Sequence, residues 1–197
     1  AVGGHLKNTV AVTSGRNVYI SQHIGDLETA SARAAFERVA ADLQQLCDVA
    51  PGRIVCDAHP DYASTRHAMV ASAGRDAPLQ VQHHHAHIAA CMAEHGIDEP
   101  ALGVAWDGTG YGSDGSIWGG EFLRVQGGKF ERVAHLRPFR LPGGDAAMRD
   151  PERSAFGALT EAGLACDIPN AAVYRRMLEK QLNAPWTTSA GRLFDAV

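Results

Sequence analysis

The sequence predicts an α/β fold, a lobe built on a mixed sheet and followed by a helical extension. Three observations carry this expectation. Short β-rich runs alternate with helix-patterned runs, hairpins with glycine turns interrupt the alternation, and the chain changes character after Pro138. Alternation with hairpins is the pattern of a mixed rather than a purely parallel sheet.

Taken in order, Leu6 to Tyr19 places β-branched residues on either side of Ser14-Gly15-Arg16, a hairpin pattern. Residues 28–48 set Phe36, Val39, Ala40, Leu43 and Leu46 at helical spacing, and Pro51-Gly52 stops that helix. Arg53 to Asp57 reads as a short buried strand that ends in polar Asp57, His59 and Asp61, with a helix next over 62–73. Leu79-Gln80-Val81-Gln82 is a strand, and His83 to His95 has helical composition that closes at Gly96. Leu102 to Trp106 is a further strand, feeding the glycine-rich run that begins at Asp107. Residues 117–126 and 129–136 pair across Gly127-Gly128. Beyond Gly143-Gly144, helices fall near 149–163 and 170–182, and another begins at the chain end. The expected organisation is an α/β lobe over 1–137 and the start of a second lobe or helical extension over 138–197.

Composition narrows the function classes. The 197 residues carry 18 Lys+Arg against 22 Asp+Glu, a net charge of −4, with 45% hydrophobic and 20% charged residues. That is the balance of a soluble globular protein, and it offers no basic footprint for nucleic acid. No window approaches the roughly 20 apolar residues of a spanning helix. Cys47, Cys56, Cys91 and Cys166 are too scattered for a disulfide framework or a CxxC zinc site, so a reducing, cytoplasmic setting is expected, with Cys91 in the core. The absence of an initiator Met and a helix cut short at the end suggest a segment of a longer polypeptide.

Chemistry concentrates in histidine. Ten are present, four of them within residues 83–87. On a helix starting near His83, His83 and His87 are one turn apart on one face, the spacing at which two imidazoles chelate one divalent cation. His84 and His85 would then serve as supporting or substrate contacts. The alternative is a solvated helix start. A metal needs at least one further ligand, and zinc or iron(II) accepts a carboxylate. Asp107-Gly108-Thr109-Gly110-Tyr111-Gly112 follows a strand at an α/β edge, where glycines let backbone amides cradle a phosphate and an Asp can meet a metal. A plain tight turn is the competing reading. Gly143-Gly144-Asp145 with Arg149, Pro151 and Arg153 is better read as a helix N-terminus than as an anion site.

Several blocks, in order along the chain, resemble the HypF-type carbamoyltransferases of nickel–iron hydrogenase maturation. They are Gly4-x-Leu6-Lys7-Asn8-Thr9, Ser21-Gln22-His23-Ile24-Gly25-Asp26-Leu27, Asp57-x-His59-Pro60-Asp61-Tyr62-x-Ser64-Thr65 and Gln82-His83-His84-His85-Ala86-His87. The series continues through Asp107 to Gly112, Ile117-Trp118-Gly119-Gly120-Glu121-Phe122 and Gly191-Arg192-Leu193-Phe194-Asp195-Ala196. The resemblance implies the TsaD-like C-terminal domain of that family, an actin/Hsp70/sugar-kinase-like lobe with the second lobe largely missing. It implies carbamoyl transfer from a carbamoyl-adenylate, made from carbamoyl phosphate and ATP, to the C-terminal cysteine of HypE. It also implies an adenylate-forming domain in the same full-length chain, and weak or no catalysis by these 197 residues alone.

Carried over by position, His83, His87 and Asp107 are metal ligands. Asp107 and Lys7 are catalytic candidates. Gly108, Thr109, Gly110, Gly112, Gly191 and Asp195 face the nucleotide. The rivals are O-carbamoylation of a small molecule, threonylcarbamoyl transfer to tRNA, and a noncatalytic metal-binding scaffold. Neither nucleic acid nor a membrane is an expected partner.

Overall fold

The residues flanking Gly15 form the expected hairpin. β1 (Ala11–Ser14) pairs antiparallel with β2 (Asn17–Ile20) in the register Ala11↔Ile20 to Ser14↔Asn17, and Gly15 turns at φ +58°, where a side chain is disfavoured. α1 (Ala30–Leu46) starts where the Thr29 hydroxyl accepts the Ala32 N–H at 3.1 Å and turns Phe36 and Ala40 inward. β3 (Val55–Asp57) and β4 (Leu79–Val81) run parallel, joined through α2 (Ala63–Ala71), with Asp57 opposite Val81. Val2, Val10, Leu27, Phe36, Ala40, Cys56 and Ala68 make one apolar core under these elements. Buried Asn8 ties the preceding loop down by donating to Val2 O at 2.9 Å and Gly4 O at 2.6 Å.

The computed structural model describes residues 1–197 and divides them into two units, Ala1–His83 and His84–Val197. The first comprises the elements just given. α3 (His83–Glu94) opens on its last residue, and Gly96 at φ +63° closes that helix.

In the second unit, β5 (Ala101–Tyr111) pairs antiparallel with β6 (Ile117–Gln126), and β7 (Lys129–His135) pairs with β6 across Gly127-Gly128. β8 (Phe139–Arg140) and β9 (Trp186–Thr187) complete a five-stranded sheet in which β9 lies parallel to β6. Ile88, Ala105, Trp118, Leu123 and Val125 form the core beneath α3 and the sheet. α4 (Pro151–Glu161), α5 (Ala171–Glu179) and α6 (Ala190–Asp195) make the helical part.

Three expectations change. The glycine-rich run is not a loop: β5 continues through Asp107–Tyr111 with a register shift between Trp106 and Gly110. Glycines leave no side-chain alternation, so the strand was hidden. Two strands, β8 and β9, were missed because two residues carry no period. Cys91 is exposed rather than in the core. Residues 137 and 138 themselves lie in the link between β7 and β8. The corner at Gly143 does prove to be a helix start. A 3₁₀ turn, Gly144–Met148, leads to Pro151 in the first turn of α4, and Arg153 pairs with Asp150 at 2.9 Å. No helix is long and apolar enough to cross a membrane.

Candidate metal centre

α3 places His83 and His87 one turn apart, and Asp107 comes from the middle of β5. One ligand atom from each of His83, His87 and Asp107 lies within 4.8 Å of the others. The His87 Nε2–Asp107 Oδ2 distance is 3.8 Å. Two imidazole nitrogens and a carboxylate oxygen form a donor set that suits zinc or iron(II), so the residues present fit the implied cation.

Two of the three, His83 and Asp107, are held from behind. His83 Nδ1 meets Asp57 Oδ2 at 2.7 Å. Around Asp107, the Gly108 N–H donates to Oδ1 at 2.6 Å. The Ser189 hydroxyl lies within donating reach of Asp107 O, 3.1 Å, and Gly108 O, 2.7 Å. Ser189 also caps α6 by accepting the Arg192 N–H at 3.0 Å. His84 is fully buried with Nε2 3.9 Å from Asp107 Oδ2, and Gly110 admits its ring, since a Cβ there would overlap it. His85 is buried with its ring 5.0 Å from that of Phe130, and burial pushes its pKa down, favouring the neutral imidazole.

The second unit therefore gathers Asp107, Gly108, Thr109, Gly110, Gly191 and Asp195 at one corner. A Cβ on Gly191 would stand 2.7 Å from Gly108 Cα, Thr109 Oγ1 donates to Gly108 O at 2.6 Å, and Asp195 pairs with Arg192 at 3.0 Å. Gly112 packs at the far end of β5, against Trp118 and Asp114. Lys7 sits in the loop before β1 at φ +49°, its N–H donating to Asp26 Oδ1 at 2.8 Å. That loop passes His83, with a Cβ on Gly4 3.9 Å from His83 Cε1.

Sequence reasoning gave no role to Asp57, Ser189 or the Glu121–Arg132–Thr188 group. A buried strand ending in Asp was the available signal for the first. The others are brought in by pairings too distant along the chain to leave one.

The fold and this cluster define a Kae1-like domain. A model described as "HypF Kae1-like domain" matches residues 1–94, and one described as "Carbamoyltransferase, Kae1-like Domain, second subdomain" matches 103–197. The chain belongs to the HypF family of carbamoyltransferases. It is 48% identical to Carbamoyltransferase HypF2 of Cupriavidus necator, with all of this chain covering 25% of that protein. It is 43% identical to Carbamoyltransferase HypF of Synechocystis, with all of this chain covering 29% of it. A crystal structure of full-length HypF in a phosphate- and nucleotide-bound form superposes with a TM-score of 0.89 at 37% identity, over 99% of this chain and 27% of that one. The chain thus spans between 25% and 29% of the length of these three relatives.

Proposed function

We propose that this chain is the carbamoyl-transferring part of a HypF-type enzyme. It would bind a carbamoyl-adenylate made from carbamoyl phosphate and ATP, and pass the carbamoyl group to the C-terminal cysteine of HypE. The observation that carries the reading is the His83–His87–Asp107 cluster inside a HypF-family domain. Polarisation of a phosphoryl or carbamoyl oxygen is the chemistry that a zinc or iron(II) ion held there supplies.

The chain's own residues bind and orient. Asp107 is fixed by the Gly108 N–H and by Ser189, so its second oxygen faces His87 without reorganisation at the moment of reaction. Glycine at 110 admits the His84 ring and glycine at 191 admits the Gly108 backbone. Beside Gly108 the nearest atom to a Cβ is an Arg192 nitrogen at 3.8 Å, which leaves that stretch of backbone open to a ligand. Lys7 contacts a phosphate or the carbamoyl group from the loop beside His83. The nucleophile comes from the partner. Its thiolate sulfur bonds to the carbamoyl carbon, the bond from that carbon to the phosphate oxygen breaks, and AMP leaves with the electron pair. None of the four free cysteines is needed.

The test uses the full-length protein with carbamoyl-adenylate and HypE. Mass spectrometry should find the carbamoyl adduct on the HypE C-terminal cysteine. The His83→Ala/His87→Ala variant should keep its helix content by circular dichroism and lose both bound metal and transfer. Unchanged metal stoichiometry in that variant would sink the site assignment, and no adduct from the wild type would sink the reaction.

A further inference from the structure

We infer that Asp57 is a positioning residue for the metal centre: it fixes the tautomer and the ring orientation of His83. The inference rests on the cluster reading above and deepens it.

The placement follows from strand register. Parallel pairing sets Asp57, the last residue of β3, opposite Val81, the last residue of β4, and the Ala58 N–H donates to Val81 O at 2.9 Å. Two residues after Val81 the chain enters α3 at His83. The carboxyl end of one strand therefore lies beside the first turn of the next helix, bringing together side chains 26 residues apart. Carboxyl ends of parallel strands are where α/β sheets present functional groups.

Asp57 is 8% exposed, and both of its carboxylate oxygens are engaged. Oδ1 accepts the His59 N–H at 2.8 Å, which locks the carboxylate in a local turn. Oδ2 stands 2.7 Å from His83 Nδ1. An ionised carboxylate only accepts, so the proton of a neutral His83 sits on Nδ1 and Nε2 keeps its lone pair. The main-chain oxygen of Asp57 also accepts from Thr65 Oγ1 at 3.1 Å, anchoring the strand end to α2. This is the carboxylate–histidine arrangement that holds an imidazole ready for a cation and raises its basicity. The same contact resists a ring flip that would carry the donor nitrogen away from His87 and Asp107.

The decisive variant is Asp57→Asn, which keeps the size of the side chain. Its single acceptor oxygen can serve the His59 N–H or His83, and the amide donors must face the other. With the oxygen on His59, the amide donates to His83 Nδ1 and drives the proton to Nε2. Zinc(II) affinity, measured on the full chain by competition with a chromophoric chelator, should fall about 10- to 100-fold. The imidazole 15N shifts of His83 in the metal-free protein should move from the Nδ1-protonated to the Nε2-protonated pattern. In a His83→Ala background, Asp57→Asn should cause no further loss of affinity. Asp57→Ala should lose affinity over the same range, and if it fails to fold, the Asn variant still decides. Wild-type affinity in Asp57→Asn, or an equal loss in the His83→Ala background, would overturn the positioning role. A wild-type chain that takes up no zinc would overturn the metal reading and this one with it, a result distinguishable from the other two.

Discussion

Glu121 has no exposed surface and is surrounded by donors. Arg132 Nε donates to it at 2.6 Å, the N–H groups of Gly119 and Gly120 at 3.1 and 3.2 Å, and Thr188 Oγ1 closes the set. Arg132 lies 4.0 Å over the Trp118 ring and reaches Asp114 at 3.0 Å. Burial by itself raises the Glu121 pKa, but the Arg132 and Thr188 hydrogen bonds outweigh it and hold the carboxyl below its ordinary value. Asp114 is held down as well, against the effect of burial, by Ser116, Trp118 and Arg132. A lowered folded pKa gives stability that is complete above the unfolded-chain value, about 4.3 for Glu, and lost as pH falls through the folded value. The part of the urea midpoint that Glu121 and Asp114 supply should therefore be constant above about pH 4.3 and decline on acidification below it. This limb is separate from the earlier loss below about pH 6.5 that the lowered His85 pKa brings. Glu121→Gln should flatten most of that acid limb, with Asp114 keeping a remainder. At neutral pH it should cost about 1–3 kcal/mol, since a buried guanidinium contact loses its charged acceptor. An unaltered acid slope in the variant would show that the charge on Glu121 contributes nothing. The consequence reaches the site, because Thr188 precedes Ser189, which holds Asp107.

At the scale of elements, α3 seats on β5 because glycine allows it. A Cβ built on Gly103 would lie 2.5–2.6 Å from three Ile88 carbons, and Ile88 is buried in the core beneath. Gly103→Ala should cost about 1–3 kcal/mol by overpacking. Ile88→Ala should cost less in that background than alone, a favourable coupling in a double-mutant cycle read by chemical denaturation. Strict additivity would mean that the helix sits elsewhere. The same pair of elements shows what the sequence could reveal. α3 was legible from composition and Gly96, and His83 with His87 from one turn of spacing, because both belong to one helix. β5 was legible only as far as Trp106. Beyond it, glycines at 108 and 110 erase the alternation by which strands are recognised. β8 and β9 join residues as distant as Phe139 and Thr187, and no local pattern encodes that pairing. Asp57 reaches His83 across 26 residues and Ser189 reaches Asp107 across 82. Such contacts exist only once register is set, so the supporting layer of the site was hidden while its two histidines were not.

For the whole molecule, charge and chemistry separate the rival readings. Threonylcarbamoyl transfer to tRNA demands a surface that neutralises phosphates, and affinity gained that way falls steeply with salt. A chain with 18 basic and 22 acidic residues lacks the excess that such binding draws on. A noncatalytic scaffold would need no nucleotide, whereas an enzyme that releases AMP must bind it. Parallel titrations on the full chain resolve the three. tRNA should produce no mobility shift even at low salt, while AMP should bind, and its affinity should survive substitution of exposed lysines remote from the cluster, such as Lys129. Salt-sensitive tRNA binding would return the tRNA-modifying reading, and tRNA and AMP both failing to bind would leave the scaffold. On the proposed assignment, AMP would sit at the corner where Gly191 meets Gly108. A side chain at position 191 would push α6 away from β5, so Gly191→Val should lose AMP while the β1–β2 hairpin stays intact. If that variant binds AMP as the wild type does, the nucleotide lies elsewhere and the corner serves packing alone.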